Sequence, residues 1–159
     1  MEPSTPADDE LAELVGRAAE AASALIRGDV REYFALLPHA DDYILMMPFG
    51  GEPRRGVDLS DETLDALAAY FQGGEAEFDV IQSYTSPGLV VLVVIERQHG
   101  KIGALPDQDL SLRVTLVFRR DEGEWRLAHR HADPLVHPIS EELLGALLRG
   151  DHERPPPAK

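Results

Sequence analysis

The chain contains no cysteine, which excludes disulfides, thiol nucleophiles and thiolate zinc sites. Basic residues are scarce: 15 Lys and Arg stand against 29 Asp and Glu, a net charge of −14. Nucleic-acid phosphate and anionic membrane are both held by basic patches, so a chain this acidic is expected to bind neither. Arginines do gather in "PRRG" (53–56) and "FRRDEGEWR" (118–126), but the second group reads as surface charge on a hairpin turn. No apolar run approaches the ~20 residues of a membrane-spanning helix. The longest, "LVVLVVI" (89–95), is strand-sized and β-branched. The start, "MEPSTPADDE", is acidic and polar, unlike a secretory signal. These absences together point to a cytoplasmic protein. Nucleotide motifs are lacking too. "GGEPRRG" has no Walker lysine after a strand, and neither Gly-x-Ser-x-Gly nor a dinucleotide fingerprint occurs.

What remains is an ordinary globular composition, 43% hydrophobic and 28% charged over 159 residues, enough for one domain with a real core. The expected domain spans 8–150, with flexible tails at 1–7 and at 151–159. Asp8 and Asp9 are placed to cap a helix whose apolar residues (Leu11, Leu14, Val15, Ala18, Ala22, Leu25, Ile26) recur at helical spacing, with Gly28 after its end. A short second helix follows Asp29 and stops at Pro38. "DDYILMM" (41–47) reads as a strand and "PFGGEPRRG" (48–56) as a loop. A third helix runs to Phe71, with Gly73 and Gly74 ending it. Four strands are then expected at 75–85, 89–99, 110–120 and 124–133, and a last helix at 140–150. Helices segregated from strands predict an α+β fold, a curved antiparallel sheet with the N-terminal helices on its concave face, enclosing a cone.

Three stretches, "GDVREYFALLPHADDYILMMP" (28–48), "PFGGEPRRG" (48–56) and "RVTLVFRRDEGEWRLAHRHADP" (113–134), resemble the nuclear transport factor 2-like superfamily, cystatin-like in fold. Within it the chain looks most like SnoaL-like and ketosteroid-isomerase-like proteins. Its last strands resemble the association domain of calmodulin-dependent protein kinase. The resemblance covers roughly residues 10–135. It implies a cone that holds a small organic molecule, with lyase, isomerase or hydrolase chemistry open to it, and a homodimer formed through the sheet. A non-catalytic association or ligand-sensing module is the alternative. No cofactor is implied. In the isomerases an aspartate base stands before the loop-opening proline. Here Met47 occupies that place, and a thioether accepts no proton from carbon. The first-helix tyrosine of that family falls near Ala21. Steroid isomerisation by that route is therefore not expected.

"WRLAHRHADPLVHP" (125–138) carries the densest cluster of titratable residues. Strict alternation puts Trp125, Leu127, His129, His131 and Asp133 on one face and Arg126, Ala128, Arg130 and Ala132 on the other. Histidines two apart lie ~6.8 Å apart along a strand, so a metal site, an acid/base pair of His131 with Asp133, and plain packing or a dimer contact are all open. A metal is disfavoured, because no helix carries ligands at matching spacing and His39, His99, His137 and His152 fall in expected loops or the tail. For the pocket, Arg113 interrupts an apolar strand and is costly to bury unless paired, with Glu96 as either its partner or a pocket acid. The kinase resemblance implies basic residues lining the cone, which selects Arg130. Tyr33 and Tyr43 can supply hydroxyl groups at the mouth. The loop 103–109, with Asp107 and Asp109, is either a lid or a solvated surface loop.

Overall fold

The computed structural model describes residues 4–151. Helix α1 (Asp8–Ile26) is followed by α2 (Val30–Leu36), strand β1 (His39–Met46), the short β2 (Arg54–Arg55) and α3 (Asp61–Tyr70). Strands β3 (Phe71–Ser86), β4 (Leu89–Ile102), β5 (Gln108–Asp109), β6 (Leu112–Asp121) and β7 (Glu124–Asp133) come next, and α4 (Glu141–Arg149) is the last element of the described residues. The sheet runs in the order β2-β1-β7-β6-β4-β3, with β5 beside β4. The fold is α+β, as expected. The sheet is mixed rather than wholly antiparallel, because β1 joins β7 in parallel. The expectation for 152–159 lies outside the described residues. The N-terminal segment is tied to the β3–β4 turn, where Gly88 N donates to the Ser4 carbonyl, and Pro6 is buried.

Local chemistry explains the boundaries. Asp8 and Asp9 do not cap α1: its N-cap is Ala7, and the acids occupy the first turn, where they oppose the helix dipole. Gly28 turns the chain out of α1 at φ +87°, and a side chain there would meet the Phe71 carbonyl at 2.7 Å. Ser60 caps α3 by accepting from Thr63 N. Gly73 and Gly74 do not merely end α3. They lie near the start of β3, where Gly74 passes so close to Gly100 of β4 that neither of these two has room for a Cβ. That crossing lengthens both strands by several residues beyond the apolar pattern.

Helix α1 packs along β3 and β4, and α2 against α1. Leu14, Ala18 and Ala21 of α1 meet the sheet residues Val90, Leu92, Val94, Val114, Leu116, Phe118 and Leu127 in one core. That helix-covered face is the inner face. The outer face carries Val93, Ile95, Arg113, Thr115 and His131, only partly buried or exposed. No helix of the described residues is long and apolar enough to cross a membrane.

Candidate functional site

A β-bulge decides which residues of β7 face inward. Phe118 of β6 pairs with Leu127, but the preceding Val117 pairs with His129, so Ala128 is an extra residue. One extra residue exchanges the faces of everything beyond it. Trp125 and Leu127 therefore lie in the core at 7% and 0% exposure, and beyond the bulge Arg130 and Ala132 turn inward. The expectation that Trp125 and Leu127 share a face with His129, His131 and Asp133 is corrected on this point: all three lie outside.

Inside, Arg130 meets Glu96 through two hydrogen bonds, Nη1 to Oε1 at 2.8 Å and Nη2 to Oε2 at 2.9 Å. The side chains are 14% and 4% exposed, so this is a buried ion pair. Glu96 continues the inward series Val90, Leu92, Val94 on β4. Burial opposes the Arg130 charge, yet the charge and hydrogen bonds of Glu96 more than offset it and hold the guanidinium protonated. Among the described residues Glu96 is the one charged residue as deeply buried as the core.

Tyr33 of α2 and Tyr43 of β1 complete the cluster, at 7% and 4% exposure. Burial raises the pKa of both. The Arg130 charge opposes it in each case, while Glu96 pushes Tyr33 further and Tyr33 pushes Tyr43. Both remain phenols and hydrogen-bond donors at neutral pH.

His39 belongs to the same cluster. Its ring packs edge-on against Tyr43 at 4.4 Å between centroids and lies 5.7 Å from Tyr33. Burial lowers its pKa to about 4; a hydrogen bond to the Leu37 carbonyl opposes the shift and the nearby Arg130 charge adds to it. The imidazole is thus neutral, with Nδ1–H donating to Leu37 O at 2.6 Å and the Nε2 lone pair free to accept. Sequence reading left His39 in a loop because Pro38 precedes it. The strand starts there regardless, since Leu127 N donates to the Pro38 carbonyl and His39 pairs with Leu127. At the positions the isomerase resemblance selects, Ala21 is fully buried in the core and Met47 is half-buried. Neither carries acid/base chemistry.

Arg113 is not a partner of Glu96. It lies on the outer face, and its Nε and Nη2 donate to Asp133 at 3.1 and 3.0 Å. Although burial opposes it, the Arg113 hydrogen bond holds the Asp133 carboxyl below the usual range, helped by Leu135 N. Arg113, Asp133 and His131 line an outer-face cleft of about 330 Å³ with Ile81, Val93 and Thr115. His129 donates from Nδ1 to the Ile44 carbonyl at 2.8 Å, which ties β7 to β1. The histidine rings of 129 and 131 are 6.3 Å apart. Among the described residues no three His, Asp or Glu side chains converge as a metal would require. The loop 103–109 is fastened: Asp107 pairs with His99 at 3.2 Å, and Asp109 pairs with His137 at 3.0 Å.

This arrangement of helices over one face of a curved sheet has relatives. The SnoaL-like domain model matches residues 17–136. The chain belongs to the SnoaL-like domain family. Solved structures of nuclear transport factor 2-like (NTF2-like) proteins share this fold. A CamKII hub homology domain of Chlamydomonas reinhardtii shares 17% identity at a TM-score of 0.61, covering 79% of this chain and 98% of that one. A provisionally assigned dehydratase of Streptomyces avermitilis shares 21% at 0.58, covering 82% and 100%. A provisionally assigned ketosteroid isomerase of Parabacteroides distasonis shares 16% at 0.59, covering 80% and 88%. At such identities the likeness is one of fold. No curated protein matches the chain.

Proposed function

We propose that this SnoaL-like chain binds a small neutral organic molecule, bearing carbonyl or hydroxyl oxygen, at the inner-face cluster of Arg130, Glu96, Tyr33, Tyr43 and His39. The observation that carries this reading is the buried Arg130–Glu96 pair. A buried ion pair stabilises a fold less than apolar residues of the same volume would, so its presence points to a use other than stability. The pair is charge-neutral as a unit, which disfavours a carboxylate ligand, because Glu96 already occupies the fork of Arg130. Three guanidinium N–H groups and two phenols remain as donors to ligand oxygen, and His39 Nε2 serves as an acceptor. Polarising a carbonyl between such donors while a neutral imidazole takes a proton is chemistry of the isomerase or dehydratase kind, the activities in the names of two fold relatives. The test is a thermal-shift panel of small ketones, enones and alcohols beside matched carboxylates, run on the chain and on an Arg130→Met, Glu96→Met double variant. Stabilisation by neutral members in the native chain alone is expected. A panel that moves neither protein, together with a mass of bare chain in native mass spectrometry, sinks the reading.

A second reading concerns assembly. The outer face exposes Ile81 at 55% and Tyr84 at 59%, beside the half-buried Val91, Val93 and Ile95. An apolar sheet face of this kind suits pairing with a second copy, and a hub homology domain is among the fold relatives. We therefore propose a homodimer through the outer face, measured by light scattering.

A further inference from the structure

We propose that α4 is an exchanged arm, whose leucine stripe lies in the outer-face cleft of a second copy of this chain. The inference rests on the homodimer reading above and adds its geometry.

Helix α4 is specified at both ends. Ser140 Oγ accepts from Leu143 N at 3.1 Å, and Gly150 closes the helix in the left-handed region at φ 75°. Yet none of its residues is buried, and no other element of the described residues makes more than slight contact with it. Leu143, Leu144, Leu147 and Leu148 are 45%, 42%, 37% and 78% exposed. The pairs 143/147 and 144/148 are four apart, so the leucines form one stripe. A nine-residue helix is marginal alone in water, and this stripe needs a partner surface.

The chain carries a matching surface that α4 does not cover. The cleft of about 330 Å³ has an apolar side of Ile81, Val93 and Ile95, and no α4 residue lines it. The segment leading to α4 is held down on its own sheet. Asp133 accepts from Leu135 N at 2.9 Å, and His137 is paired with Asp109 at 3.0 Å. Pro134 and Pro138 stiffen it further. Charge agrees with the apolar match. The helix begins with Glu141 and Glu142 and ends with Arg149; Arg113 and Asp133 line the cleft as an ion pair, and Asp79, the strand partner of the cleft residue Ile95, pairs with Arg97, so each end can find the opposite sign. Among the described residues each chain supplies one such stripe and this cleft, and a two-fold pair closes both at once. A foreign partner for the cleft would leave the stripe exposed.

The lack of native cysteine makes the test direct. Full-length Leu147→Cys and Val93→Cys variants are co-incubated, oxidised mildly, and mapped by peptide mass spectrometry, with light scattering on the unmodified chain alongside. A dimer in which 147–93 bonds between chains predominate is the expected result. A dimer with only 147–147 or 93–93 bonds, or with none, overturns the arm and leaves the dimer standing. A monomer with no bond overturns both. A chain carrying both cysteines that forms the 147–93 bond only within itself shows the helix covering its own cleft, and also overturns the arm. Leu144→Glu with Leu148→Glu should weaken dimerisation at least roughly tenfold without altering Trp125 fluorescence; an unchanged dissociation constant contradicts the proposal.

Discussion

Arg130 and Glu96 stand on strands that are not neighbours, with β6 between them, yet their side chains meet in a two-pronged pair at 2.8 and 2.9 Å on the inner face. The pair depends on the bulge at Ala128, and the stability of the fold depends on neither charge being left alone.

Arg130→Met should therefore cost about 3–5 kcal/mol, because Glu96 stays buried without a counter-charge. Replacing both residues by methionine should recover much of that loss. Urea denaturation of the two single variants and the double variant measures the coupling. A double-variant cost equal to the sum of the two single costs would mean that the pair is not coupled as described.

The bulge itself is open to deletion. Removing Ala128 cancels the extra residue, so that Trp125, Leu127, Arg130 and Ala132 alternate strictly on the inner face while His129, His131 and Asp133 stay outside. The deletion variant is expected to keep cooperative unfolding, as followed by circular dichroism. Loss of the cooperative transition would show that this one extra residue does not account for the faces of β7.

His39 makes stability depend on pH. Its folded pKa, lowered to about 4, lies below its unfolded value of about 6.5, so between those values the unfolded chain binds the extra proton. Stability from this group is complete above about 6.5 and is lost as pH falls toward about 4, on the order of 3 kcal/mol in all. Carboxylates also titrate in this range, so the diagnostic is the difference between the native chain and His39→Phe. The variant should show a shallower fall in stability from pH 6.5 to 4.5. Parallel curves would remove His39 from the buried cluster.

Arg113→Ala separates the two faces. The Arg113 and Asp133 side chains are 54% and 34% exposed, and such surface pairs contribute ~0–1 kcal/mol. The variant should lose no more than that and should keep any thermal shift caused by an inner-face ligand. Loss of that shift would return Arg113 to the pocket, where the apolar pattern of β6 first suggested it.

The order of elements was legible in the sequence because periodicity and Gly/Pro punctuation carry it. The helices, the long strands and the pairing of 110–120 with 124–133 follow from spacing alone. Two features were not legible. An extra residue in a strand leaves no mark in composition, so the faces of β7 were misassigned up to Leu127, although Arg130 was placed inward through the kinase resemblance. The partner of Glu96 was missed for the same reason, since Arg113 sits on the more apolar strand and Arg130 lies beyond the bulge. His39 was overlooked because a preceding proline usually marks a loop. Here the proline's carbonyl, which needs no N–H, begins the β1–β7 ladder.

The most direct test of the account is a high-resolution crystal structure of the full chain, grown with the neutral compound that gives the largest thermal shift. The account places that compound's oxygen within hydrogen-bond distance of the Arg130 guanidinium or of the Tyr33 or Tyr43 hydroxyl, with the Arg130–Glu96 pair intact. A compound seated instead in the outer cleft against Arg113 and His131, with the inner cluster sealed by its own side chains, would contradict it.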